Sequence, residues 1–283
     1  MNRRLMVAAG GTAMGAVLLL SGCGGDGSGG TAANVNLSAN EALLASSKET
    51  SKADTFHADL TVTTEEDGGG KIRANGQFQL RPTLKFSAEL DEATRGGSAI
   101  PGLQGRAVYT GDMLYAKVPQ LARFVAGGKP WVKIDVNRVA QQNGFDVRQL
   151  IDQVRKVNPA EQTKMLTGSE DVRRVGTEEV NGVETTHYAG TVTVQDALSR
   201  LDAEAREEAK RHMPQDADAT IEFDLWTDGD NLPRKLETDV KGDQGHAGKV
   251  TVVYSEYGES VSVNPPPAEQ VGTLSLESFL GGS

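Results

Sequence analysis

The chain has 283 residues, a formal charge of −10, 37% hydrophobic and 24% charged residues, and one cysteine. That mixture is too apolar for wholesale disorder and too polar for a multi-span membrane protein, and its length supports one large domain or two small ones. The acidic balance disfavours nucleic acid and passive adsorption to anionic lipid, and a single cysteine excludes an internal disulfide and every multi-cysteine metal site.

Residues 1–22 combine a basic start at Arg3 and Arg4, an apolar stretch from Leu5 to Leu20 and small residues at the end, the three parts of an export signal. The apolar stretch is shorter than the roughly 20 residues needed to span hydrocarbon. Leu20-Ser21-Gly22-Cys23 resembles the bacterial lipobox, in which cleavage before the cysteine leaves a sulfur that carries diacylglycerol. Cys23 is therefore the expected lipid attachment, a diacylglyceryl cysteine bearing chains such as palmitate; two acyl chains anchor stably where one does not. Loss of residues 1–22, which hold two arginines and no acid, leaves −12 on the mature chain. Gly24 to Asn36 is rich in Gly and Ser and reads as a flexible tether, with an average reach of about 20 Å and an extended limit of about 45 Å. The expected division is a signal peptide at 1–22, a lipidated cysteine and tether at 23–37, and a single domain at 38–283.

Ser38-Ala39-Asn40-Glu41 has capping-box spacing ahead of Leu43 and Leu44, predicting a helix that fades near Lys52. From Phe56 to Thr63 apolar and polar residues alternate with period two, and Ile72, Ala74, Gly76, Phe78 and Leu80 resume the pattern after a Gly-rich turn. Leu84, Phe86, Ala88 and Leu90 continue the meander past Arg81-Pro82. After a Gly-rich loop, Arg106–Thr110 and Met113–Val118 are predicted to turn about Gly111-Asp112, and Trp131–Asp135 reads as another strand. Val147, Leu150, Ile151 and Val154 carry a helical period, and Pro159 opens a second short helix ending at Gly168. Two strands flank Asn181-Gly182, a hairpin signal. Asp196 to Met213 is predicted as a charged helix with a narrow stripe of Leu198, Leu201, Ala205 and Ala209, supported by Asp202–Arg206 and Glu207–Arg211 pairs. Strands near 219–227, 233–240 and 249–257 close the pattern.

The fold class this implies is α+β: roughly ten strands in one antiparallel sheet that twists and curls around a concavity, with a few helices as the only visible cover for its apolar face. Either that concavity is a filled core, or it is a groove lined by Leu60, Val62, Phe78, Leu80, Phe86 and Leu90 that accepts acyl chains. The loop at 96–103 is the candidate mouth, because Ile100 and Leu103 are apolar in a polar setting. Catalytic and cofactor signatures are not expected: the four histidines have no ligand spacing, no G-x-S-x-G occurs, and the acidic pairs are adjacent in sequence. The acidic run Asp216–Asp218 lacks a calcium-loop pattern.

Four runs then carry a resemblance: Trp131-Val132-Lys133-Ile134-Asp135; Gly176 to Val183 with His187-Tyr188; Trp226-Thr227-Asp228 with Leu232-Pro233-Arg234; and Tyr257-Gly258 with Val261 and Pro265-Pro266. In this order, behind a lipobox, they resemble the LppX/LprG-like family of actinobacterial cell-envelope lipoproteins. The resemblance implies a LolA-like fold, a strongly curved antiparallel half-barrel with a few helices on its concave side and a hydrophobic cavity between them for acylated lipids or glycolipids, and lipid transfer across the envelope, sometimes beside a membrane transporter. The protein is accordingly expected on the outer face of the cytoplasmic membrane, held through Cys23, as a monomeric carrier, and the charge and motif arguments above add the expectation of no enzymatic activity, no cofactor, no metal and no nucleic-acid partner. The competing expectation is an envelope sensor or protein-interaction lipoprotein whose core is filled and which carries no lipid.

Overall fold

The computed structural model describes residues 37–64, 68–100, 104–117, 127–137, 158–210, 219–242 and 245–273. The predicted signal peptide, Cys23 and the Gly24–Asn36 tether lie outside the described residues, as do Leu103, the helix expected around 147–154 and the acidic run 216–218.

Helix α1 (Ala39–Thr50) starts where the capping box predicts: Glu41 N–H donates to Ser38 Oγ, and Ser38 N–H donates to Glu41 Oε2 at 2.8 Å. The chain then enters β1 (Thr55–Thr64), β2 (Gly70–Gln79), β3 (Lys85–Arg95), the short β4 (Ser98–Ala99), β5 (Gly105–Thr110), β6 (Met113–Lys117) and β7 (Trp131–Asp135). Helix α2 (Pro159–Leu166) has its proline in the first turn, where the missing N–H costs nothing, and Asn158 as its cap. Strands β8 (Arg173–Val180) and β9 (Val183–Thr193) follow, then helices α3 (Val194–Ser199) and α4 (Ala203–Lys210). Strands β10 (Thr220–Thr227), β11 (Pro233–Gly242), β12 (Gly245–Ser255) and β13 (Val271–Thr273) complete the described chain.

The strands form one open sheet in the order β13-β7-β6-β5-β3-β2-β1-β12-β11-β10-β9-β8, with β4 added beside β3. Every pairing is antiparallel except β13 with β7. The described sheet thus has thirteen strands where roughly ten were expected. It consists of two meanders that meet at a single seam, β1 against β12. Tight turns set the meander registers. Gly111 and Asp112 (φ 57° and 61°) close β5–β6, and Asn181 and Gly182 (φ 50° and 81°) close β8–β9, the two-residue geometry whose twist suits a hairpin.

The polar period of β3 is interrupted once. Ala74 pairs with Leu90 but Arg73 pairs with Glu92, so Asp91 is an extra residue, and past it the core-facing position is Ala93. Helices α1, α2 and α3 lie on the same side of the sheet as this core face: Leu43, Leu166, Val194 and Ala197 join Phe56, Phe86, Phe223, Leu225 and Tyr254 in one buried cluster. We call this the inner face. Helices α1 and α2 pack together. Their buried Ala42, Ser46, Thr50 and Thr163 are small enough for close approach. Thr50 and Thr163 return their hydroxyls to carbonyls one turn back, on Ser46 and Pro159. The segment 168–172 lies directly against β9, since a Cβ on Gly190 would stand 2.8 Å from Ser169 Oγ and 3.0 Å from Val172 Cα.

The helix expected over Asp196–Met213 is broken in two. Thr193 caps α3, Asp202 accepts from Ala205 N–H at the start of α4, and Leu201 between them is buried. Arg206 does not serve as the predicted partner of Asp202. Its guanidinium donates to the carbonyls of Leu198, Ser199 and Leu201, where α3 ends. Arg211, the predicted partner of Glu207, lies outside the described residues; Lys210 pairs with Glu207 at 2.8 Å.

After β12 the chain must reach the far edge of the sheet, because β12 lies beside β1 and β13 lies beside β7. Gly258 N–H donates to Thr55 O at the start of this crossing, and Lys129 Nζ donates to Glu269 O near its end.

Candidate functional site

Antiparallel register places directly opposed residues on the same face, so the pairings sort the inner-face side chains into rows that run across the strands. One row is large: Phe56, Phe78, Phe86, Tyr109, Leu114 and Ile134 on β1, β2, β3, β5, β6 and β7. The next row along is small: Ala58, Gly76, Ala88, Ala107 and Ala116, with Tyr254 at its β12 end and Val132 at its β7 end. At about 4.8 Å per strand, these seven positions extend over roughly 29 Å. Beyond it Val252, Leu60, Ala74, Leu90 and Gly105 make a third row, and Val250, Val62, Ile72 and Ala93 a fourth. None of the side chains in these rows is charged.

Burial changes from row to row. The large row is closed at its β1–β6 end, with Phe56 at 1%, Phe86 at 1% and Leu114 at 2% exposure. Its rings pack in sequence: Phe56–Phe78 stack with centroids 5.0 Å apart, Phe78–Phe86 lie at 6.2 Å and Phe86–Tyr109 stack at 5.6 Å. In the small row Ala58 is buried, but Ala88, Ala107 and Ala116 are only half-buried. Leu60, Val62, Leu90 and Val250 are half-buried as well, and Ile72 is 44% exposed. The inner face is therefore packed shut along its aromatic row and left partly uncovered over the small row and beyond it. Leaving apolar side chains uncovered on the core side of a sheet costs about 25 cal/mol per Å² of area that could have been buried.

The six residues predicted to line a groove are divided by this gradient. Phe78 and Phe86 belong to the closed aromatic row, while Leu60 and Leu80 pack at the margin of the core. Val62 and Leu90 lie half-buried at the uncovered end. Ile100 lies at that same end: its N–H donates to Ala93 O, and Ala93 pairs with Ile72. Sequence reasoning did not single out the floor of small residues. Each is visible as an apolar position in an alternating run, but that they stand side by side depends on the register, which the Asp91 bulge and the turns determine.

Among the described residues no cluster of His, Cys, Asp and Glu could hold a metal ion, and no helix is long and apolar enough to cross a membrane. The Tyr254 hydroxyl, at the β12 end of the small row, is buried without a hydrogen-bond partner in the described structure, and burial pushes its pKa above the usual phenol value.

A protein-family model described as LppX_LprAFG lipoprotein matches residues 38–263. An uncharacterized 31.2 kDa protein of the rplA-rplJ intergenic region of Streptomyces griseus is 33% identical over 168 residues, covering 58% of this chain and 54% of that protein. The chain spans about half the length of the curated relatives it matches. Among solved structures, LprF from Mycobacterium bovis gives a TM-score of 0.49 at 15% identity, covering 85% of this chain and 100% of that one. Lipoprotein LppX from Mycobacterium tuberculosis gives 0.48 at 17% identity, covering 80% and 98%.

Proposed function

The chain belongs to the LppX_LprAFG lipoprotein family, and from that premise we propose that it is a lipid carrier of the cell envelope. It is anchored through Cys23 to the outer face of the cytoplasmic membrane, binds an acylated lipid or glycolipid against the inner face of its sheet, and carries it between membrane and partner, a membrane transporter among the candidates. The carrier works as a monomer and performs no chemistry on its cargo.

One observation carries this reading. The inner face of β1–β7 presents an uncharged, apolar row of small side chains across several strands, and three of its members, Ala88, Ala107 and Ala116, are only partly buried although they lie on the core side. An acyl chain supplies the missing cover, and each buried methylene contributes about 0.8 kcal/mol. The floor of Ala88, Ala107 and Ala116 leaves room for the chain beside the aromatic row. Val62, Ile72 and Ile100 form the apolar end through which it enters.

The test is mass spectrometry of organic extracts from residues 38–283 purified without detergent from the native host. A stoichiometric acylated lipid is the expected result. An empty protein that also fails to take up a fluorescent lipid overturns the proposal and leaves a protein-interaction lipoprotein in its place.

A further inference from the structure

The opposite, outer face of the sheet carries a cluster that a lipid site does not use. His187 on β9 is buried, with 10% of its side chain exposed, and both ring nitrogens meet carboxylates: Nδ1 lies 3.0 Å from Glu178 Oε1 on β8, and Nε2 lies 2.7 Å from Asp224 Oδ1 on β10. The ring is stacked on Trp226 of β10, with centroids 4.2 Å apart and planes 11° from parallel. Trp226 Nε1–H donates to the other oxygen of Glu178, and Lys235 of β11 stands over the indole at 4.3 Å. Beyond Lys235 the charges are satisfied among themselves, Glu237 accepting from Lys235 and Lys249.

The proton count of this cluster is constrained by chemistry. An ionised carboxylate only accepts, and a neutral imidazole has a single N–H to give. Both His187 contacts are hydrogen bonds only when the ring carries two protons. When one leaves, a ring lone pair faces a carboxylate, and the contact becomes repulsive. The strand exposed to that change is β8, which among the described strands pairs with β9 alone and is mostly solvent-exposed. Glu178 ties this edge strand across β9 to β10, through His187 and Trp226 together.

We propose that His187 is a proton-dependent latch that fastens the β8 edge to the sheet, closed with the ring doubly protonated and loosened on deprotonation. The loosened segment is continuous with residues 168–172, which lie against Gly190, and through them with α2. The inference stands apart from the lipid reading, since it concerns the other face of the sheet and its test involves no lipid.

Native-state amide hydrogen exchange on residues 38–283 tests it, with rates corrected for the intrinsic pH dependence of exchange. The β1–β2 amides serve as the internal reference. Protection of β8 amides from Gly176 to Val180 is expected to fall relative to that reference by roughly tenfold as the pH is raised from the acid to the alkaline side of neutrality, the size of losing one hydrogen bond to a charged group. His187→Phe keeps the stack on Trp226 and removes both donors, so the pH-dependent step disappears. If that variant does not fold, Glu178→Gln, at a half-exposed position, shrinks the step instead. A step that is absent in the wild type, or that persists at full size in the folded variants, overturns the latch.

Discussion

The ring of Phe78 fills the space above Gly76: a Cβ on Gly76 would stand 3.0 Å from Phe78 Cζ and 3.0 Å from the carbonyl oxygen of Ser87. The ring could turn aside, but the β3 backbone cannot, and Phe78 is already wedged between Phe56 and Phe86. Gly76→Ala is therefore expected to lower stability by about 1–3 kcal/mol, the usual cost of overpacking. Urea denaturation of wild type and variant measures it; an unchanged midpoint would show that the aromatic row is not closed.

The neighbouring small row should respond differently. Ala107 is half-buried, so a larger side chain has somewhere to go. Ala107→Trp is expected to cost less than about 1 kcal/mol, below the range for closed cores, while filling the space assigned to an acyl chain. Uptake of a fluorescent fatty acyl lipid should drop sharply in this variant and stay near wild type in Lys133→Ala, whose side chain is on the outer face. Full uptake by Ala107→Trp would move the lipid site elsewhere.

Between α1 and α2, the Ser46 hydroxyl is fully buried and has no partner in the described structure. An unsatisfied buried hydroxyl carries a desolvation cost that alanine removes without leaving a large void. Ser46→Ala is expected to raise the melting temperature, with a gain on the order of 1 kcal/mol. A loss of stability would mean that the hydroxyl is satisfied in solution.

Two carboxylates should shape the pH dependence of stability in opposite directions. Burial of Glu161 on α2 pushes its pKa above the usual carboxylate value, with Lys164 opposing and Asp202 adding to the rise. Its folded-state proton is held more tightly than in the unfolded chain, so its contribution is present below the unfolded pKa and is lost as pH rises through the folded one. Glu161→Gln should flatten that loss.

Asp171 behaves in the reverse sense. Burial alone would raise its pKa, but hydrogen bonds from Thr191 N–H, Thr191 Oγ1 and Ser169 Oγ outweigh that and hold it low. Its contribution is present above the unfolded pKa and disappears as pH falls through the folded one. Asp171→Asn should weaken the protein near neutrality and blunt its acid transition. Chemical denaturation across the carboxylate range, run on each variant, separates the two effects; identical pH profiles for wild type and both variants would contradict them.

Local signals in the sequence locate most elements, because each has a local physical cause: the Ser38–Glu41 box, Pro159 after Asn158, and the Asn181-Gly182 turn all appear as read. What was not legible depends on distant chain. Strand β13 has no period of its own and exists by pairing with Trp131–Lys133. The break between α3 and α4 arises from a buried Leu201 and from Arg206 turning back to carbonyls, whereas the i, i+4 spacing alone argues for an unbroken helix. The same holds for the site. Alternation marks Leu60, Val62, Phe78 and Phe86 as facing one way, but only cross-strand register reveals that Gly76, Ala88 and Ala107 stand in line, and only packing separates the closed row from the open one.

The seam between β1 and β12 joins Thr63 to Lys249 and His57 to Ser255, near opposite ends of the domain. Each meander can form from contacts close in the chain, but the seam must wait until the last strand of the second meander has been made, and such non-local closure slows folding. In the interval the first meander holds a broad apolar surface with both of its edges, β1 and β7, unpaired, the condition in which incomplete chains self-associate. The rate of productive folding, and the need for something to hold the nascent chain meanwhile, should therefore depend on how quickly the last long strand finds the first.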